Sequence, residues 1–155
     1  MNLVEHEKIR QLKARYFRGL DTKDWDLFGS TLTEDVKGRY SSGQLSFDGR
    51  EPLVEFMVEN LNHANVITMH HGHHPEISVA EDGMTATGVW YLQDMVIDLK
   101  GKTRLYGAAV YQDEYRNEGG EWKISLTGYD RTYEFVEPLA DGHIVLQSMF
   151  GDFED

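Results

Sequence analysis

The sequence predicts an α+β fold in which helices come first and a curved, mostly antiparallel sheet follows. Two observations support this prediction. Apolar residues recur at helical spacing in the first third of the chain, and after Asn65 the pattern changes to long β-forming segments joined by glycine turns. Such a sheet can wrap around helices and leave an open-ended cavity. We therefore expect three N-terminal helices packed in a curved sheet that leaves an open-ended cavity.

Three helices are predicted before Asn65. The first covers residues 5–20, and its apolar residues lie at helical spacing, namely Ile9, Leu12, Tyr16 and Leu20. Asp24 is placed to cap a short second helix, because aspartate is a preferred residue at that position. A third helix is predicted around Pro52, since proline suits a first helical turn.

Strands are predicted on both sides of the third helix. The first is Val36–Ser41, and five further β segments follow, which are Val66–His74, Ile77–Ala80, Thr85–Asp98, Leu105–Arg116 and Trp122–Tyr133. Tight glycine turns join the last three, which predicts an antiparallel meander. Residues 136–155 form a tail that either closes over the cavity or contacts a neighbouring subunit, and its last five residues are expected to fray.

Length and composition narrow the classes of protein. A chain of 155 residues predicts one domain, 1–155, and the absence of cysteine excludes disulfides, a thiol nucleophile and cysteine zinc ligands. No apolar run approaches the ~20 residues that cross a bilayer, and no signal peptide is evident, so a cytoplasmic protein is expected. The net charge of −12 argues against nucleic acid and membrane as partners. A hydrophobic small molecule fits better.

The segment Met69–Pro75 reads MHHGHHP and holds four of the seven histidines. A zinc site needs three or four converging ligands. If this segment is a strand, His70 and His74 face one side, while His71 and His73 face the other. The sequence therefore predicts neither a metal nor another cofactor. It predicts instead one histidine that faces the cavity as an acid or base.

Five other polar residues have a functional and an ordinary interpretation. Asp21 ends the first helix, so it either orients a histidine or caps the helix. Tyr16 and Tyr40 are either catalytic donors or core aromatics with a solvated hydroxyl. Asp94 lies among apolar neighbours, so it is either solvent-facing or a perturbed acid. Arg131 is by default a surface or ion-paired arginine.

Several stretches resemble a known family when they are taken together, namely YFRGLDTKDWD, YSSGQLSF, MHHGHHPEI, TATGVWYLQD, YQDEY and TGYDR. In this order they resemble the SnoaL-like branch of the nuclear-transport-factor-like fold, which includes scytalone dehydratase, steroid isomerases and polyketide cyclases. This resemblance implies a cone-shaped fold. Within that branch they are most similar to the bile acid 7α-dehydratase type. The resemblance spans Tyr16 to Arg131.

The resemblance implies a cofactor-independent dehydratase that removes water from a hydroxysteroid of the 7α-hydroxy-3-oxo-4-ene type by His–Asp acid/base chemistry. The alternatives are a ketosteroid-type isomerase or a polyketide cyclase acting on a hydrophobic ketone, and a binding module without catalysis. It also implies a homo-oligomer, with a trimer favoured over a dimer.

The resemblance also implies roles for individual residues. The residues that match catalytic positions are Tyr16, Asp21, His70 and Asp94. Those expected to bind substrate are Tyr40, His74, Trp90 and Arg131. Trp90 lies near the position where scytalone dehydratase carries a second histidine, which is absent here, so scytalone itself is not the expected substrate.

Overall fold

The computed structural model describes residues 2–151. Three helices and six strands follow one another in chain order, namely α1 (Leu3–Asp21), α2 (Trp25–Ser30), β1 (Leu32–Tyr40), β2 (Leu45–Asp48), α3 (Arg50–Leu61), β3 (Val66–Val79), β4 (Thr85–Asp98), β5 (Thr103–Glu118) and β6 (Glu121–Pro138). The predicted α+β class is confirmed. The single-domain organisation stays a prediction, and most of the tail segment expected to fray lies outside the described residues.

All six strands form one curled, open sheet with the order β2-β1-β6-β5-β4-β3. The three strands β4 to β6 make the predicted antiparallel meander, and β3 pairs antiparallel with β4 to extend it. β1 then joins β6 in parallel, with Leu32 opposite Ile124 and Gly38 opposite Thr127. The N-terminal helices pack in the concave side of the sheet, which gives the cone.

The spacing that predicted α1 also identifies its buried face. Ile9, Leu12, Tyr16 and Leu20 are at most 2% exposed. The Asp24 side chain accepts a hydrogen bond from the Leu27 amide at 2.9 Å, which confirms its capping role at the start of α2. No helix within residues 2–151 combines the length and the apolar character that a membrane span requires.

β3 differs from the prediction of two separate strands. It runs without a break from Val66 to Val79, with a register shift between His73 and Glu76. His74 has a φ of +47° within this bulge, and Pro75 follows it. β3 is an edge strand, where a proline is tolerated because one side needs no ladder hydrogen bonds.

Two other differences lie in β1, β2 and β6. β2 was not predicted, because it has only four residues and most of them are exposed. β1 begins at Leu32, and β6 continues to Pro138, so both are longer than the sequence pattern indicated.

Candidate active site

His70 and Asp21 form the polar pair that the sequence predicted. His70 Nδ1 lies 2.6 Å from Asp21 Oδ1, and the His70 amide donates to Asp21 Oδ2 at 2.9 Å. The Thr68 hydroxyl donates to Asp21 Oδ1 at 2.8 Å. With Nδ1–H bonded to the carboxylate, the neutral imidazole carries its free lone pair on Nε2.

The local fold fixes this pair from both sides. Thr68 and His70 are two residues apart on β3, so both side chains face the concave side, where α1 ends at Asp21. Just after α1, the Lys23 ammonium donates to the carbonyl oxygens of Leu61 at 2.6 Å and Val66 at 2.7 Å. These bonds tie the end of α1 to α3 and to the start of β3.

Phe17 supports the imidazole on its face. The Phe17 and His70 rings are nearly parallel, with centroids 6.0 Å apart and an interplanar angle of 10°. Gly72 leaves room for the Phe17 ring, because a Cβ at Gly72 would lie 2.5 Å from Phe17 Cε2. Packing against Phe17 therefore explains why position 72 in the histidine segment is a glycine.

His70 lies on the wall of a cavity of about 290 Å³ inside the cone. Ligand sites typically measure ~300–1,000 Å³, so this one holds a compact ligand or part of a larger one. The apolar part of the wall is formed by Leu20, Leu45, Phe56, Met57, Leu61, Val96 and Leu105. The polar part consists of a tyrosine cluster, an arginine cluster and the side chains of Ser41, Thr68 and His70.

The tyrosine cluster consists of Tyr16, Tyr40, Tyr111 and Tyr129, which all line the cavity. The Tyr16 and Tyr40 hydroxyls are hydrogen-bonded at 2.7 Å. Burial raises the pKa of Tyr16, Tyr40 and Tyr111. Their hydroxyls therefore stay protonated at neutral pH and can donate hydrogen bonds.

The arginine cluster consists of Arg131, Asp94 and Glu134. Arg131 makes two hydrogen bonds to Asp94, at 2.5 and 2.9 Å, and its Nε lies 3.0 Å from Glu134 Oε2. The Tyr129 ring lies 4.7 Å from Arg131 Cζ. Two carboxylates and a ring thus surround the guanidinium, which leaves little of it for a ligand anion.

This cluster bears on the expected acid role of Asp94. Both Asp94 oxygens accept hydrogen bonds from Arg131, so the carboxyl group is directed at the guanidinium. The geometry therefore gives Asp94 the role of holding Arg131 in place rather than that of donating a proton.

Six of the eight predicted site residues meet at this cavity. Tyr16, Tyr40, His70, Asp94 and Arg131 line it, and Asp21 bonds to His70. The other two lie elsewhere, which corrects their expected positions. The bulge turns His74 outward, where it is exposed with its ring 6.3 Å from that of Tyr91. Trp90 is buried in the core and donates to the Tyr115 hydroxyl at 2.8 Å.

The structure adds cavity residues that the sequence reasoning missed. Thr68 and Tyr111 could have been found, because strand alternation from His70 and from the buried Ala109 places them on the concave face. Glu134 could not. A register shift in β6 lets Arg131 and Glu134 share one face although they are three residues apart.

The outer histidines do not build a metal centre. His71 and His73 are exposed, with ring centroids 5.7 Å apart. Within residues 2–151, no group of three or more histidine, aspartate or glutamate side chains has the arrangement of a metal site.

Comparisons with known proteins match this architecture. The hexachlorocyclohexane dehydrochlorinase LinA-type3 from Novosphingobium barchaimii LL02 is 21% identical, with a TM-score of 0.78 over 94% of this chain and 97% of that chain. A candidate scytalone dehydratase from Novosphingobium aromaticivorans DSM 12444 is 20% identical, with a TM-score of 0.79 over 99% and 97%. ActVI-ORFA from Streptomyces coelicolor is 17% identical, with a TM-score of 0.69 over 82% and 96%.

Structural similarity at these identities establishes the fold. Membership of a family comes from the sequence, where residues 1–127 match the family model of SnoaL-like domains. The chain therefore belongs to the SnoaL-like domain family.

Proposed function

We propose that the protein is a cofactor-independent dehydratase that eliminates water from a hydroxysteroid or bile-acid-like substrate. The observation that carries this proposal is the 2.6 Å bond between His70 Nδ1 and Asp21 at the wall of a largely apolar cavity. Two structurally similar proteins bear the names of elimination enzymes, a dehydrochlorinase and a candidate scytalone dehydratase, which supports an elimination. Because fold alone does not define chemistry, the proposal depends on the residues of the site.

The proposed reaction starts with proton abstraction by His70. In a 7α-hydroxy-3-oxo-4-ene steroid, Nε2 takes the proton from carbon 6, and the electron pair of that C–H bond moves into a dienolate on the carbonyl oxygen. The electrons then return to form the 6,7 double bond, and the 7-hydroxyl leaves as water with the proton from His70. A positioned base contributes ~10²–10⁴-fold to such a step, and Asp21 stabilises the imidazolium that forms.

The tyrosine cluster supplies the donors in this scheme. Either Tyr16 or Tyr40 donates to the oxyanion that develops on the substrate or to the departing hydroxyl, while the other hydroxyl donates to that tyrosine. Their buried, protonated hydroxyls support this role. A preorganised donor of this kind is worth ~2.7–4 kcal/mol in the transition state.

The arginine cluster and the cavity volume limit how a steroid can bind. Arg131 is already paired with Asp94 and Glu134, so we infer that it shapes the wall rather than binding a substrate carboxylate. The small cavity favours a binding mode in which the reacting rings enter and an acidic side chain stays at the open end. His74 and Trp90, which lie away from the cavity, have no role in this scheme.

The tail is proposed to act as a lid. Leu139 follows β6 and donates to the Lys102 carbonyl at 2.9 Å. Further along, the Phe150 ring lies 4.3 Å from the Lys23 ammonium, next to the catalytic pair. These two contacts support a tail that crosses the open end of the cone.

Incubation with a 7α-hydroxy-3-oxo-4-ene steroid tests the proposal through the absorbance of the 4,6-dienone product. His70→Ala is expected to lower turnover by at least ~10², the low end for a general base. His71→Ala is the matched control, since the neighbouring histidine is exposed on the other face, and it should retain full turnover. Equal turnover of His70→Ala and the wild type contradicts the proposal, as does activity that disappears with a chelator.

One observation favours a second function, an isomerase or cyclase acting on a hydrophobic ketone. Such a reaction returns the proton to carbon and needs no acid for a leaving hydroxyl. Both Asp94 oxygens are bonded to Arg131, so only the His70 imidazolium and the tyrosines remain as acids for a leaving hydroxyl. Double-bond migration without loss of water, across a panel of steroid ketones, would establish this alternative.

A homotrimer formed through the outer face of the sheet is part of the proposal. Tyr91, Tyr133 and Phe135 on the strands are about half exposed, which is unusual for such apolar side chains on one surface. Light scattering that gives the mass of a monomer would exclude it.

A further inference from the structure

Lys13 is a fully buried lysine that the proposed reaction does not use. Its side chain is 0% exposed, and its ammonium lies 2.7 Å from Asp113 Oδ2, which is also fully buried. Lysine is almost never fully buried, and two charges in a protein interior lose much hydration. Burial lowers the pKa of Lys13, and the Asp113 carboxylate opposes that effect. The presence of this charged pair in the core therefore needs an explanation.

Aromatic faces form the rest of the ammonium's surroundings. The Nζ atom lies 3.7 Å from the ring centroid of Tyr111, 4.5 Å from that of Tyr16 and 5.0 Å from that of Phe17. A cation within ~6 Å of an aromatic face is attracted by the ring, most strongly where water is excluded. Lys13 is therefore held by one carboxylate and three rings.

The same rings belong to the active site. The Tyr16 hydroxyl bonds to that of Tyr40, and Tyr111 lines the cavity. Phe17 stacks on the imidazole of His70. Lys13 thus lies directly behind both the proposed donors and the proposed base.

Asp113 keeps the ammonium at this point. It accepts hydrogen bonds from the Tyr115 hydroxyl and from the Thr127 hydroxyl, each at 2.8 Å, and these partners fix its orientation. The ammonium attracts the faces of the Tyr16 and Tyr111 rings, and this attraction fixes where their hydroxyls lie.

We propose that Lys13 is a positioning residue for the reaction. Its buried ammonium attracts the rings of Tyr16 and Tyr111 and so holds the tyrosine hydroxyls in place for the negative charge that develops on a substrate oxygen. This inference rests on the proposed function, because it requires that charge to form in the cavity.

The test variant removes both charges at once. Lys13→Met alone leaves Asp113 unpaired in the core and is expected to unfold easily, whereas a buried ion pair can be replaced as a whole with little loss of stability. In Lys13→Met/Asp113→Asn, the asparagine amide can still bond to the Tyr115 and Thr127 hydroxyls. We expect a melting temperature close to that of the wild type, a kcat about 10-fold lower and a KM changed less than about twofold, from the range of cation–π energies.

A second measurement does not depend on turnover. A naphthol is a compact ligand whose ionised and neutral forms differ in fluorescence, and its ionised oxygen mimics the oxyanion. At fixed pH, the wild type is expected to bind the ionised form preferentially. The double variant should lower the ratio of bound ionised to bound neutral naphthol about 10-fold, because its donors are no longer held in place.

The matched control neutralises an exposed pair of the same kind. Arg116 Nη2 lies 2.6 Å from Asp35 Oδ1 on the surface, and Arg116→Met/Asp35→Asn should change neither kcat nor the naphthol ratio. If the wild type prefers ionised naphthol and the Lys13 double variant keeps the same preference and kcat, the role of Lys13 is overturned. If the wild type shows no preference, the donor role of the tyrosines is overturned as well.

Discussion

At the scale of single residues, the carboxylate of Asp21 controls what His70 can do. It accepts hydrogen bonds from the Thr68 hydroxyl, the His70 amide and His70 Nδ1, at 2.6–2.9 Å. An acceptor saturated in this way cannot rotate without breaking several bonds. The imidazole therefore keeps one tautomer and one orientation, with Nε2 available as a base.

Asp21→Asn should preserve the shape of this site and remove its chemistry. The amide cannot stabilise an imidazolium, and its NH₂ can donate to Nδ1, which moves the ring proton to Nε2. We expect turnover to fall by ~10²–10⁴, the range for loss of a general base, and ¹⁵N NMR to report the changed tautomer. Asp24→Asn is the matched control, since asparagine caps a helix as well as aspartate does. Full activity of Asp21→Asn would contradict the assignment.

At the scale of elements, β3 shows which side-chain directions strand alternation predicts correctly and which it does not. Strand alternation predicted that His70 faces the cavity and that His71 and His73 face outward, and the structure agrees for these three. It failed at His74, because a residue at positive φ before Pro75 breaks the alternation. The pairing of Asp94 with Arg131 could not be predicted, since 37 positions and a bulge in β6 separate the two residues.

Gly72→Ala tests how tightly β3 is packed against α1. The new methyl group would lie 2.5 Å from Phe17 Cε2, so the Phe17 ring must move away from His70. Overpacking of this type costs ~1–3 kcal/mol, and we expect that loss in urea unfolding together with reduced turnover.

Two further variants separate packing from the general effect of adding a methyl group. Gly72→Ala/Phe17→Leu should recover much of the stability, because the smaller side chain leaves space. Gly142→Ala should be neutral, since no atom would lie within 4 Å of the methyl group added there. A Gly72→Ala protein as stable as the wild type would show that the contact is easily relieved.

At the scale of the whole molecule, buried tyrosines link stability to alkaline pH. Burial raises the pKa of four of the eight tyrosines, namely Tyr16, Tyr40, Tyr111 and Tyr115. A tyrosine with a raised pKa contributes its full stabilisation of the folded state below pH ~10, which is its pKa in the unfolded chain. That contribution is lost as the pH rises further. Lys13 acts in the opposite direction, because its lowered pKa makes stability rise with pH only up to ~10.4.

Of these groups, only the tyrosines should therefore change the free energy of unfolding with pH above about pH 10.4. Each contributes a loss of about 1.4 kcal/mol per pH unit to the free energy of unfolding. Urea unfolding at several alkaline pH values measures this slope, and Tyr16→Phe should reduce it by about one such increment. Tyrosinate absorbance from the buried set should appear together with the loss of circular dichroism, and an earlier appearance would contradict the prediction.

Because β6 lies in the middle of the sheet, its late synthesis affects how the chain folds on the ribosome. β1 pairs with β2 and with β6, and the Trp122 indole at the start of β6 donates to Glu5 in α1, 117 positions earlier. The first half of a nascent chain thus emerges without the strand that joins it to the meander. Pairings this distant in sequence form slowly, and unpaired strand edges are prone to aggregation. Chaperones that hold the N-terminal helices until translation passes Pro138 should therefore raise the yield of folded protein.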